Sequence, residues 1–220
     1  MAQSILHFLN DTLRGFDYNL IKVISSWHCG FLTFIFKAIT FLGEKGIIFF
    51  LSGIVLMLFK KTRALGICMF GAVSIGAIIT SFILKDYIMR LRPFESGNIT
   101  YYNWYLEVGA PKESGYSFPS GHVTAIASAM TVLFIYLNAK WSFIPIIATI
   151  FMGISRVYLL AHYPTDVIAG IIVGIISGIL AYFITLLIYK ITNKYKDKKF
   201  FNFLLNFDLK EEIDNRKKSV

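Results

Sequence analysis

Two cysteines, Cys29 and Cys68, are all that the 220-residue chain contains. Both stand among apolar neighbours, so no disulfide framework holds the protein together. Charge is scarce too. Asp, Glu, Lys and Arg make up 16% of residues, where a soluble domain carries about 25%. Acidic residues are the scarcer sign, 13 against 22 Lys and Arg, which leaves a formal charge of +9. The N-terminus lacks the basic region, apolar core and small-residue cleavage site of a secretory signal. What abounds is apolar: 56% hydrophobic residues, 16% aromatic and a mean hydropathy of +0.63. That richness excludes a disordered chain. In a polar protein the positive surplus would suggest nucleic acid, but here the anionic face of a membrane is the natural partner. The chain reads as an integral membrane protein with no nucleic-acid role.

A membrane-spanning helix needs about 20 mostly apolar residues. Six runs qualify or nearly so: Leu20–Leu42, Gly46–Phe59, Ala64–Ile88, Phe118–Leu137, Trp141–Leu160 and Val167–Tyr189. The expectation is an all-α polytopic protein whose six transmembrane helices form a single bundle over residues 20–189. Residues 1–19 carry Ile5, Leu6, Phe8, Leu9 and Leu13 at helical spacing, which suits an interfacial helix or an extension of the first span. Residues 190–220 read as a basic tail with a short Phe-rich interfacial helix around 200–205.

Lys60, Lys61 and Arg63 lie between the second and third runs, and Lys140 lies between the fourth and fifth. The tail after Tyr189 holds nine Lys and Arg against five Asp and Glu. Positive charge gathers on cytoplasmic segments, so both termini are expected in the cytoplasm. The opposite face then receives the Gly43–Gly46 turn, a long segment from about Met89 to Ser117, and a short link near Ala161–Thr165.

That outer face carries charges the rule does not explain. Lys85, Arg90 and Arg92 cluster where the third run ends, and Arg156 lies inside the fifth. A cation within an apolar span is a functional hypothesis by default. Snorkelling to the interface suffices for Arg90 and Lys112, but Arg156 resists that account. His122 and His162 each stand at the outer entrance of a helix beside turn residues, whereas His7 and His28 have no evident partner. A helix start offers free N–H groups and a positive dipole end to an anion. Gly121 permits close backbone approach there, and Ser120 adds a hydroxyl. Pro164 suits a first helical turn and sets His162 just outside the helix, with Asp166 placed to orient its ring. Ser155 and Glu44 are further candidates for contact with the site, although Ser155 also suits an ordinary helix position and Glu44 a solvated turn. Gly170, Gly174 and Gly178 form a stripe fit for close packing within the chain.

Lys85-x6-Arg92-Pro93, then Pro119-Ser120-Gly121-His122, then Ser155-Arg156-x5-His162-x3-Asp166 resembles the three-part signature of the type 2 phosphatidic acid phosphatase (PAP2) superfamily. Eleven signature positions between Lys85 and Asp166 match in order. The resemblance implies that His162 is a nucleophile forming phosphohistidine, that Asp166 holds its other ring nitrogen, and that His122 is the general acid. It assigns Lys85, Arg92, Arg156, Ser120 and Gly121 to the phosphoryl oxygens. Neither a metal nor another cofactor is implied, and no carboxylate-rich cluster of the kind Mg²⁺ prefers is visible.

The partner is then a lipid phosphate or diphosphate among membrane lipids, met at the outer face of the cell membrane. Undecaprenyl diphosphate is the first choice; phosphatidic acid and phosphatidylglycerol phosphate also fit. The reading of another class is a non-catalytic protein that binds or transports lipid phosphate. A phosphotransferase would pass the phosphoryl group to an acceptor other than water. The aromatic segment Phe94–Ser117 is expected to cap the site and shape substrate choice. The sequence does not reveal an oligomeric state.

Overall fold

The computed structural model describes residues 1–43, 46–137 and 139–218; Glu44 lies outside them. Every regular element among the described residues is a helix. The N-terminal part comprises α1 (Ala2–His7), a wide turn over Phe8–Thr12, α2 (Arg14–Ser25) and α3 (Gly30–Leu42). Then come α4 (Ile47–Met57), α5 (Arg63–Ala77), a π-helical stretch Ile78–Leu84 and α6 (Lys85–Ile88). The segment between α6 and the next long helix holds α7 (Ile99–Val108). The remainder is α8 (Gly121–Tyr136), α9 (Phe143–Tyr158), α10 (Pro164–Lys194), α11 (Lys199–Asn206) and α12 (Leu209–Lys218).

Helix α10 is the central post, packed against α8 and α5, with α9 beyond α8 and α4 beyond α5. Its glycine stripe makes this possible. A Cβ at Gly170 would lie 2.9 Å from the Ser120 carbonyl oxygen, and one at Gly178 would lie 2.6 Å from Thr131 Cβ. The stripe therefore seats α10 directly on the α8 backbone, where packing rather than hydrophobic transfer drives helix association. Hydroxyls on these helices return their protons to the preceding turn: Thr124 to Ser120 O, Ser128 to Thr124 O, Ser177 to Val173 O. No polar partner is needed across the interface.

The opposite face of α10 is a row of exposed Ile168, Ile172, Ile175, Ile179, Phe183 and Leu187. Such a face belongs in lipid. Among the described residues, two helical stretches are long and apolar enough to cross a bilayer, Arg63–Glu95 and Pro164–Lys194; three more apolar helices, α4, α8 and α9, are shorter.

The first expected span is not one straight helix. Arg14–Ser25 and Gly30–Phe41 reach the length and hydropathy of a span only together, and they are bent by 119°. Polar residues build the corner. Ser26 Oγ donates to Val23 O, His28 Nε2 lies 3.2 Å from Tyr158 O, and the Cys29 amide donates to Tyr158 Oη at 3.1 Å. Helix α2 also runs across the boundary expected at residue 19, so the N-terminal segment joins the body. Leu9 and Asp17 are buried in it.

At the other end of the bundle the tail folds back on the α4–α5 connection. Arg63 donates to Leu205 O and Phe207 O, Leu209 N to Leu58 O, and Lys60 N to Asp208 Oδ2.

Candidate active site

The wide π turn over Ile78–Leu84 re-aims the chain just before Lys85, a common use of such insertions. Thr80 within it donates to Thr124 Oγ1 at 3.1 Å, which ties the turn to α8. Helix α6 stops at Met89, whose φ of 55° is left-handed. Extended backbone then carries Arg92 to Pro93, which opens a short 3₁₀ turn. Helix α7, within the long segment expected from about Met89 to Ser117, has ordinary boundary signals. Asn98 Oδ1 accepts from the Thr100 amide at its start, and Gly109 at φ 54° ends it.

Lys85, Arg92, Gly121, His122, Arg156 and His162 line one cavity of about 770 Å³. Three elements far apart in sequence thus converge. Ser120 caps α8, and its amide donates to Asp166 O at 3.1 Å, which joins the helix starts of α8 and α10. Its Oγ is buried with no hydrogen-bond partner, as is Arg156 Nε.

His162 sits in the turn between α9 and α10, where the Ala161 and His162 amides both reach back to Arg156 O. Its ring is 1% exposed. Arg92 Nη1 lies 3.3 Å from Nε2, and Asp166 Oδ2 lies 3.5 Å from Nδ1. A guanidinium only donates, so Nε2 is the accepting nitrogen and the ring proton belongs on Nδ1, facing Asp166. At 3.5 Å the contact does not make a formed hydrogen bond, and Nδ1 has no other partner. Burial, followed by the Arg156 and Arg92 charges, holds the imidazole well below the usual histidine range. At neutral pH it is an uncharged base with its lone pair toward the cavity.

Asp166 caps the start of α10 through the Tyr163 amide, 2.9 Å from Oδ2. Its Oδ1 accepts from Arg90 at 2.7 Å. Arg90 is thus no snorkelling side chain: it is 2% exposed and anchored on carboxylates. The expectation failed because sequence spacing cannot show that the N-terminal segment folds over this residue.

Glu113 was also missed. Its carboxylate pairs with Arg156 and, at 3.1 Å, with Arg92, inside the cavity. Burial would raise this carboxyl, but Arg156, His162, His122 and Arg92 together hold it at about 2. The cavity wall also includes Lys37, Thr40 and Lys112. A carboxylate in a loop gives no sequence signal beyond its charge. Ser155 is absent from the cavity wall; its Oγ donates to Met152 O and meets Thr40 Oγ1 at 3.3 Å. Thr40 in turn accepts from Arg156 Nη1 at 3.3 Å. Ser155 therefore touches the site only through Thr40.

The aromatic residues of the Phe94–Ser117 segment do not line the cavity either. Phe94 stacks on Tyr105 with centroids 4.5 Å apart, and Tyr101 meets Tyr18 and Tyr163. Residues 110–114 form the wall instead.

Comparisons with known proteins give the family and the fold. An undecaprenyl-diphosphatase of Sulfolobus acidocaldarius is 33% identical over 157 residues, covering 71% of this chain and 72% of that protein. A lipid A 1-phosphatase of Rhizobium etli is 33% identical over 120 residues, 51% of this chain and 49% of that one. The PAP2-type phosphatidylglycerolphosphate phosphatase of Bacillus subtilis superposes with a TM-score of 0.63 at 25% identity, over 80% of this chain and 89% of that structure. The family model described as PAP2 superfamily matches residues 64–191, which spans the whole cavity motif. The chain belongs to the PAP2 superfamily and is a membrane lipid phosphatase of that kind.

Proposed function

We propose that the protein removes the terminal phosphate of a lipid diphosphate at the outer membrane face, through phosphohistidine at His162 and without a metal. The observation that carries this reading is the setting of His162. Its accepting Nε2 opens on a cavity that also holds Lys85, Arg92, Arg156 and His122, while Nδ1 faces Asp166. Nε2 attacks phosphorus, and the bond to the leaving lipid oxygen breaks as His122 delivers a proton to it. His122 then takes a proton from water, whose oxygen attacks phosphohistidine. Inorganic phosphate leaves and His162 is restored.

Phosphoryl transfer spreads charge over three equatorial oxygens, so positioning and electrostatic stabilisation supply most of the acceleration. Lys85, Arg92 and Arg156 meet that charge, with Ser120 Oγ and the Gly121 amide beside them. Arginine adds bidentate contact that lysine cannot make. These three cations take the part a metal plays elsewhere. Lys37 and Lys112 on the same wall suit a second phosphate, which favours a diphosphate; the Sulfolobus relative's name makes undecaprenyl diphosphate the first to try.

Six spans with cytoplasmic termini accommodate this chemistry. The tail and the Lys60–Arg63 turn touch one another at one end, where the Lys and Arg surplus is largest. A single experiment tests the function: phosphate release from undecaprenyl diphosphate, phosphatidic acid and phosphatidylglycerol phosphate, with EDTA throughout. Fastest release from the diphosphate is expected. Release that needs added metal would overturn metal independence, and preference for a monophosphate would overturn the substrate. Topology has its own test. Asn103→Cys in a Cys29→Ser background should react with an impermeant thiol reagent from outside; labelling from the cytoplasm alone would reverse the orientation.

A further inference from the structure

Behind Asp166, away from the cavity, lies a second buried charge group that the reaction scheme does not use. Arg90 spends all five of its N–H donors there. Nε donates to Asn10 Oδ1 at 3.0 Å, Nη1 to Thr165 Oγ1 and Asp166 Oδ1 at 2.7 Å each, and Nη2 to Leu9 O at 3.1 Å and Asp17 Oδ2 at 2.7 Å. Its guanidinium lies 3.8 Å from the centroid of the Tyr163 ring, which fixes its plane. Asp17 is equally saturated: Oδ1 accepts the Thr165 amide at 2.9 Å, and Oδ2 also accepts Thr165 Oγ1 at 2.8 Å. Asp17 is 1% exposed and Asp166 0%. Asp11 and Arg14 line the cleft beyond, and their charges cancel.

One cation between two buried carboxylates leaves the group with a net charge of −1, pressed against His162. A side chain so costly to bury is expected to be paired, and pairing alone would need a single carboxylate. We infer that Asp17 is a positioning residue for the reaction: by sharing Arg90, it keeps the Asp166 carboxylate available to the His162 Nδ1–H. The inference rests on His162 being the nucleophile. As Nε2 bonds to phosphorus the ring gains positive charge, and the net negative group behind it offsets that charge. Without Asp17 the group is neutral, Arg90 turns wholly onto Asp166, and the pull on Nδ1–H weakens. Substrate binding, carried by cations on the other side, is untouched. The segment Leu9–Asp17 thereby becomes a working part of the active site.

The test compares wild type, Asp17→Asn, Asp166→Asn and the double variant as full-length protein in detergent, with a short-chain polyprenyl diphosphate as substrate. Loss of an outer partner that orients a metal-bound histidine costs about 10–100-fold, and a loss of that order is expected for a group acting one residue removed from His162. Asp17→Asn should therefore lower kcat by about that factor and leave KM within about threefold. Because Asp17 acts through Asp166, the double variant should match Asp166→Asn within about threefold. Wild-type kcat in Asp17→Asn, a raised KM alone, or losses that multiply in the double variant would overturn the inference. Should Asp17→Asn not be recovered folded, Thr165→Val must lose more kcat than Thr165→Ser; equal values overturn it. Full activity in His162→Ala, or none in wild type on any substrate, would instead sink the reading of the site itself.

Discussion

Arg90 and Arg92 are two residues apart and equally buried, yet they belong to opposite sides of Asp166. On the cavity side Arg92 stands among Lys37, Lys85, Lys112 and Arg156, with Glu113 the one carboxylate among the described residues of the wall. On the N-terminal side Arg90 stands between Asp17 and Asp166. The first side has positive charge in excess, which is what an anionic ligand requires. The second is satisfied within the protein and asks for nothing from outside. Burial of an arginine therefore says little about its role; the count of opposite charges around it says much.

The comparison can be broken in several ways. The largest effect should come from His162, which looks into the cavity and leans on Asp166. His162→Ala is expected to abolish phosphate release, a fall of about 10⁴-fold or more, read as inorganic phosphate from the preferred lipid. Next, Arg90→Met leaves Asp17 and Asp166 buried and unpaired. Breaking such a group costs about 3–5 kcal/mol, so the thermal unfolding midpoint in detergent should drop clearly. Arg92→Met should lower the midpoint less, because its guanidinium holds the Gly115, Ala161 and Ser114 carbonyls rather than two buried carboxylates, and it should lose phosphate turnover. Equal melting of the two variants would erase the distinction drawn above.

Glu113→Gln sharpens the cavity side. It releases both guanidiniums to a tetrahedral anion, so inhibition by orthovanadate should tighten several-fold, about 1 kcal/mol. Weaker inhibition would mean that Glu113 holds the arginines in place rather than competing with the ligand. The smallest effect is on pH. His162 lies well below its ordinary value of 6.5, so it stays neutral as pH falls through 6.5. With His162 as the proposed nucleophile, the acid limb of kcat/KM that it sets should therefore appear below pH 6.5. A limb centred at 6.5 or above would place His162 in a wetter setting than its burial indicates. Glu113, depressed to about 2, stabilises the fold above pH 4.5, and that stability is lost as pH falls towards 2.

Much of this site was legible in the chain. Lys85, Arg92, Ser120, Gly121, His122, Arg156, His162 and Asp166 stood out because turn residues mark helix starts and because cations are costly in apolar runs. The helical character and the membrane setting followed from hydropathy. Other features stayed hidden for identifiable reasons. The bend at Ser26–Cys29 depends on Tyr158, more than a hundred residues away. Helix α7 was passed over although Asn98 and Gly109 bracket it, because its aromatic pattern resembled a belt at the bilayer surface. Arg90 looked expendable because its partners are Leu9, Asn10 and Asp17, from a segment that hydropathy assigned to the interface.

By itself the sequence determined that the chain is helical, sits in a membrane and carries a cationic, histidine-bearing motif in three pieces. Those properties follow from transfer free energies and local backbone preferences, which act residue by residue. Only the tertiary structure decided which charge neutralises which. It set Arg92 toward the cavity and Arg90 toward Asp17, and it brought Glu113 between two arginines. Electrostatic energy depends on distance and burial between groups far apart in the chain, and the +9 surplus could not say where any single positive charge would come to rest.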